Sequence, residues 1–239
     1  MCRLSGFLLG FSLLLGSTLA LAQNNEQTHV TLHTNLGDIQ LALFDQQATK
    51  TVENFLRYVN DGFYNDSLFH RITPSLIQGG LCGKGCRPKS PSYPPIQNEA
   101  ANSTGHSVGT LGMMRGKDPH SATTQFFINV TDNRQRLDYA SSTPLGWGYT
   151  VFGQVIDGMD VVEHIHQSKT DASGLNPYAP QKEIIIHSIE INQLAVQPVE
   201  PSKPTIVVKS KTPALKVDKT DKTDTARWLP EPPDVPAIE

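Results

Sequence analysis

Between His29 and Ile191 the apolar residues come in short runs, broken again and again by Gly, Pro, Asn and Ser. That spacing excludes a bundle of long helices and favours an all-β architecture. His29-Val30-Thr31-Leu32-His33-Thr34 alternates at Val30 and Leu32. Asn35-Leu36-Gly37-Asp38 supplies turn chemistry, and Ile39, Leu41 and Leu43 resume the alternation, so a hairpin is expected. Five further runs read as strands: Leu68 to Ile72, Val108 to Met114, Gln125 to Val130, Tyr149 to Ile156 and Ile184 to Ile191. Helical spacing appears at Val52, Phe55, Leu56 and Val59, ending at Asn60-Asp61-Gly62, and a second helix is read near Met159 to His166. Mostly strands with two helices favours an antiparallel barrel or sandwich over a βαβ sheet.

The two ends differ in kind from this middle. Residues 1 to 22 carry Arg3, an apolar run from Phe7 to Leu15 and then Ala20-Leu21-Ala22, the pattern of a secretory signal peptide cleaved after Ala22. Residues 23–28 read as a short linker, and 29–196 as one domain. Residues 197–239 hold eight of the seventeen prolines and balanced charge, which reads as a disordered Pro-rich tail. The part between the ends carries 12 basic and 16 acidic residues, which argues against nucleic-acid binding. The signal run is too short for a membrane span, so no stable membrane insertion is expected. No heptad or extended apolar surface signal appears, and a monomer is expected. With Cys2 removed, Cys82 and Cys86 remain as a pair; a disulfide is the first expectation in an oxidising compartment, with free thiols or a shared metal as alternatives.

Polar residues inside apolar runs must be paired or used. Three segments concentrate them: Phe69-His70-Arg71-Ile72-Thr73-Pro74 with Gln78-Gly79-Gly80; Gly109 to Gly116; and Ser121 to Val130. Strand alternation places Phe69 and Arg71 on one face and His70 on the other. His70 is expected to be a satisfied structural histidine. The other histidines show no ligand spacing, and no metal site is expected.

Phe69-His70-Arg71, Gln78-Gly79-Gly80, Gly109-Thr110-Leu111-Gly112-Met113, Gln125-Phe126-Phe127-Ile128 and Val151-Phe152-Gly153, in this order, resemble the cyclophilin family of peptidyl-prolyl cis-trans isomerases. Ser121 to Val130 and Gly148 to Gly153 are most similar to its bacterial exported branch, and the likeness covers roughly Val30 to Leu194. The resemblance implies an eight-stranded antiparallel barrel capped by two α-helices, a periplasmic location, no cofactor, and proline-containing unfolded or flexible polypeptides as partners. It implies that Arg71 is catalytic and that Gln78 binds the substrate backbone and supports the arginine. Phe127, Leu76, Leu137 and Tyr149 would form the proline pocket. Met114, Arg115 and Gly116 would pair with residues before the proline, with Gln125 at the edge. Phe126 is assigned to the barrel interior and Phe127 to the groove.

Some positions depart from the family pattern. Only Ser75-Leu76-Ile77 separates Pro74 from Gln78, one residue fewer than usual, so the pocket lacks a phenylalanine and turnover is expected to suffer. Arg136 stands where eukaryotic members carry a tryptophan that binds cyclosporin, so weak inhibition by cyclosporin is expected. Trp147 is close enough to Tyr149 to line the groove instead, and the Cys82 to Cys86 insertion is unfamiliar. A second reading, a proline-segment chaperone or scaffold with little turnover, draws on the shortened strand.

Overall fold

The computed structural model describes residues 27–171 and 176–192; the expected signal peptide and Pro-rich tail lie outside the described residues. The chain opens as an antiparallel hairpin of β1 (His29–Thr34) and β2 (Gly37–Leu43), with Val30 opposite Leu41 and Leu32 opposite Ile39. These four side chains are buried on one face, the consequence of the period-two pattern. Helix α1 (Thr49–Asn60) buries Val52, Phe55 and Val59 against the barrel. Then come β3 (Ser67–Ile72), β4 (Leu76–Gly83), the two-residue β5 (Arg87–Pro88), β6 (Thr110–Met113) and β7 (Phe126–Asn129). A short α2 (Arg134–Leu137) precedes β8 (Val151–Asp157), α3 (Met159–His166) and β9 (Ile185–Asn192).

The strands are ordered β3-β9-β1-β2-β8-β6-β7-β4, and β4 pairs back onto β3. Eight antiparallel strands thus close a barrel, with β5 appended to β4. Closure leaves no long unpaired edge. The single-turn α2 adds to the two helices expected. Inside, Phe55 meets Phe126 and Phe152 with ring centroids 5.7 and 5.3 Å apart.

Two expectations are corrected, and the first correction positions the site. Phe69 and Arg71 do not share a face. Phe69 pairs with Gly79 and Arg71 with Gln78, so β3 advances two residues while β4 advances one. His70 is the extra residue of a β-bulge, and the bulge reverses the alternation. Phe69 enters the core, 6.0 Å from Phe126, while Arg71 reaches Gln78 on the outer face. His70 is buried too; a backbone hydrogen bond at Leu68 engages the ring but its Nδ1 has no partner, so the structural histidine expected is only partly satisfied.

Candidate active site

A row of register partners crosses four strands on the outer face. Arg71 on β3 stands opposite Gln78 on β4, Gln78 opposite Phe127 on β7, and Phe127 opposite Gly112 on β6. Directly opposed residues project to the same side of a sheet, so the side chains of Arg71, Gln78 and Phe127 line up. Gly112 completes the row by lacking one: a Cβ there would overlap the Phe127 ring. The ring therefore settles onto the β6 backbone. Phe126, one residue earlier, belongs to the core and touches Phe55, Tyr64 and Phe69.

Polar contacts fix the row. Arg71 Nη1 donates to Gln78 Oε1 at 3.3 Å, and Gln78 Nε2 donates to Gln125 Oε1 at 2.9 Å. The guanidinium is half-buried; burial draws its pKa down, and the phenols of Tyr178 and Tyr149 act the other way. It remains a cation with only part of its donor set used. Leu76 is buried two residues before Gln78, on the same side of β4.

The Phe127 ring lies between His106, stacked at 5.5 Å and 15°, and Tyr149, edge-on at 5.8 Å. His106 Nε2 lies 2.9 Å from the Tyr149 carbonyl oxygen and Nδ1 3.0 Å from Asn129 Nδ2. A carbonyl requires a donor and an amide NH2 an acceptor, so the ring is the neutral Nε2–H tautomer. Burial lowers its pKa and agrees with that form. Asn129 Oδ1 accepts from Asn133 Nδ2, which also donates to the Ser75 carbonyl. This buried network ties the floor beneath Phe127 to the β3–β4 turn.

Met114, Arg115 and Gly116 leave β6 beside Gln125. The Met114 N–H donates to the Gln125 carbonyl at 2.8 Å and the Gly116 N–H to Ser121 Oγ at 2.8 Å. Both N–H groups are thereby used within the fold. The Arg115 side chain acts as a staple: Nε donates to the Gly148 carbonyl at 2.7 Å, Nη1 to Gly116 and Nη2 to Pro144, and its Cζ sits 4.8 Å from the Tyr149 ring centroid. Leu137, half-buried at the end of α2, accepts the Tyr149 N–H at 2.8 Å. Trp147 packs edge-on against His120 and Tyr139. Arg136 is exposed.

Cys82, buried, and Cys86, exposed, are joined through their sulfurs with Cα atoms 4.8 Å apart, at the end of β4. Among the described residues no group of three or more His, Cys, Asp or Glu side chains is placed to hold a metal. Two residues of the site escaped the sequence reading. His106 sits in a Gly-His-Ser loop and Tyr178 in an Asn-Pro-Tyr turn, both outside any periodic run.

Residues 29–191 match the family described as cyclophilin type peptidyl-prolyl cis-trans isomerase/CLD. The chain is 46% identical over 165 residues to peptidyl-prolyl cis-trans isomerase B of Escherichia coli (strain K12), covering 69% of this chain and 99% of that protein. It is 39% identical over 184 residues to a peptidyl-prolyl cis-trans isomerase of Acinetobacter baylyi, covering 77% and 95%. The crystal structure of a cyclophilin type isomerase from Cryptosporidium parvum superposes with a TM-score of 0.58 at 28% identity, over 70% of this chain and 98% of that one. The closed barrel and the extent of these matches lead to one conclusion: the chain belongs to the cyclophilin family of peptidyl-prolyl cis-trans isomerases.

Proposed function

We propose that this chain is a periplasmic isomerase that accelerates rotation about Xaa-Pro bonds in unfolded or flexible exported proteins, with Arg71 as its catalytic residue. The barrier to that rotation, about 18–20 kcal/mol, comes from amide resonance. Twisting the bond localises a lone pair on the prolyl nitrogen. A fixed guanidinium donating to that nitrogen, or to the neighbouring carbonyl, stabilises charge that the planar ground state lacks. The observation that carries the reading is Arg71 held half-buried by Gln78, two register steps from Phe127. Phe127, Leu76, Leu137 and Tyr149 form the proline pocket, and Gln78, Gln125 and the Met114 to Gly116 strip take the substrate backbone. The reaction transfers no proton, so the neutral, buried His70 and His106 act structurally.

The leader-like residues 1–22 support export, and the Cys82–Cys86 pair fits an oxidising compartment. No described helix is long and apolar enough to cross a membrane. Cell fractionation with N-terminal sequencing tests this placement: a periplasmic chain beginning at Gln23 is expected, and an uncleaved chain inside the inner membrane contradicts it. The exposed Arg136 supports weak cyclosporin inhibition, and sub-micromolar inhibition contradicts that alignment.

A second reading, a holding module with little turnover, draws on the short β3–β4 connection, where the Thr73 N–H closes onto the Leu76 carbonyl at 2.9 Å. Exchange NMR on a short Xaa-Pro peptide separates the two. The isomerase reading expects acceleration by the native chain that is largely lost in Arg71→Ala with the fold intact. Binding without acceleration assigns the groove to holding.

A further inference from the structure

Arg71 is gripped on a second side, by a residue more than one hundred positions away in sequence. Its guanidinium carbon lies 5.1 Å from the centroid of the Tyr178 ring, while Nη1 of the same group donates to Gln78. The segment carrying the ring is pinned by its backbone. The Tyr178 carbonyl accepts the N–H of Ile72, the residue after Arg71, at 2.8 Å, and the Tyr178 N–H donates to Asn176 Oδ1 at 3.2 Å. On its far side, Pro180 pairs with Thr170, the Asp171 N–H donates to the Ala179 carbonyl, and the Gln181 N–H donates to the Lys169 carbonyl. The ring is therefore delivered beside the guanidinium by bonds that do not involve its own side chain.

An arginine side chain has several torsions, and a donor lowers a barrier most when its orientation is set before the reaction begins. Gln78 holds one edge through a single hydrogen bond, which leaves the guanidinium plane free to swing about that edge. A ring against the guanidinium opposes the swing, and the cation is attracted to the ring's π-electrons. An edge contact and an aromatic contact together define the plane.

We propose that Tyr178 is a positioning residue for the isomerisation, its aromatic ring fixing the plane in which Arg71 presents its free N–H groups to the prolyl bond. The proposal rests on the reading of Arg71 given above. It assigns the effect to the ring and not to the phenolic hydroxyl.

The test compares the native full chain with Tyr178→Ala, Tyr178→Leu and Tyr178→Phe, and with Arg71→Ala as reference. Exchange NMR on an Ala-Pro peptide gives kcat and Kd separately, and the Arg71 Nε–H resonance reports side-chain order. Tyr178→Ala and Tyr178→Leu are expected to lower kcat about fivefold, to change Kd less than about twofold, and to broaden the Nε–H resonance. Tyr178→Phe is expected to restore both kcat and the sharp resonance. Native kcat in either aliphatic variant while Arg71→Ala is inactive overturns the proposal and leaves the Arg71 reading standing. A Tyr178→Phe variant as impaired as the alanine variant also overturns it. Full activity in Arg71→Ala removes the Arg71 reading itself, and this proposal with it.

Discussion

Arg71 reaches the outer face because His70 is inserted beside it, and the cost of the bulge falls on His70. That imidazole is buried with an unpartnered Nδ1, and desolvation holds its pKa at about 4 against an ordinary 6.5. Between these values the unfolded chain binds the proton and the folded one does not. The His70 contribution to stability is therefore full above pH 6.5 and is lost as the pH drops towards 4; His106 is shifted in the same direction, while His33, raised by Asp38, acts the opposite way. An NMR titration of the His70 ring is expected to give a midpoint near 4; a midpoint near 6.5 contradicts the burial argument. Gly112 makes a second prediction at this scale. Gly112→Ala forces the Phe127 ring off the β6 backbone, and overpacking of this kind costs about 1–3 kcal/mol. The denaturant midpoint should fall and Kd for an Xaa-Pro peptide should rise; an unchanged midpoint and Kd would show that the ring does not depend on that space.

The site is assembled from strands whose order along the barrel differs from their order in sequence. Alternation made β1 and β2 legible, short apolar runs bounded by Gly, Pro, Asn and Ser did the same for β3 and for β6 to β9, and 3.6-residue spacing did so for α1. The bulge was not legible, because an inserted residue leaves no mark in composition, and strict alternation therefore put Phe69 and Arg71 on one face. Gln78-Gly79-Gly80 carries no alternation either; Gly80 sits at φ +82° where a Cβ would approach the Thr124 carbonyl. The family likeness named most of the groove residues, while Tyr178 and His106 depend on contacts created only when the barrel closes. Arg115 also gained a role that sequence did not show, since its side chain joins the β6 extension to the loop before Tyr149. Arg115→Ala should weaken peptide binding about three- to tenfold through loss of two or more charge-assisted hydrogen bonds. A titration with native Kd would reduce this staple to a surface contact. Thiol titration checks the β4 end: no free thiol is expected from Cys82 or Cys86 in the native protein and two after reduction, and free Cys82 and Cys86 thiols without reductant contradict the bond.

At the scale of the whole molecule, the barrel depends on its last strand. β9 pairs with both β1 and β3, so the first and last thirds of the described fold meet along one strand. A chain ending after residue 196 is expected to unfold at the native temperature and to retain isomerisation, since the domain proposed here is 29–196. One ending at Glu183 is expected not to fold, because the ring cannot close. Loss of turnover in the longer truncation would assign the tail a part in the reaction. The closed barrel also supports the proposed catalysis: its strands hold Arg71, Gln78 and Phe127 in fixed register, so little reorganisation would accompany the twist. The most direct measurement of that claim is kcat and Kd for one Xaa-Pro peptide in Arg71→Lys, which keeps the charge and loses the planar fork. The account predicts a fall in kcat of about tenfold or more with Kd changed less than about threefold. Native turnover in the lysine variant would contradict it.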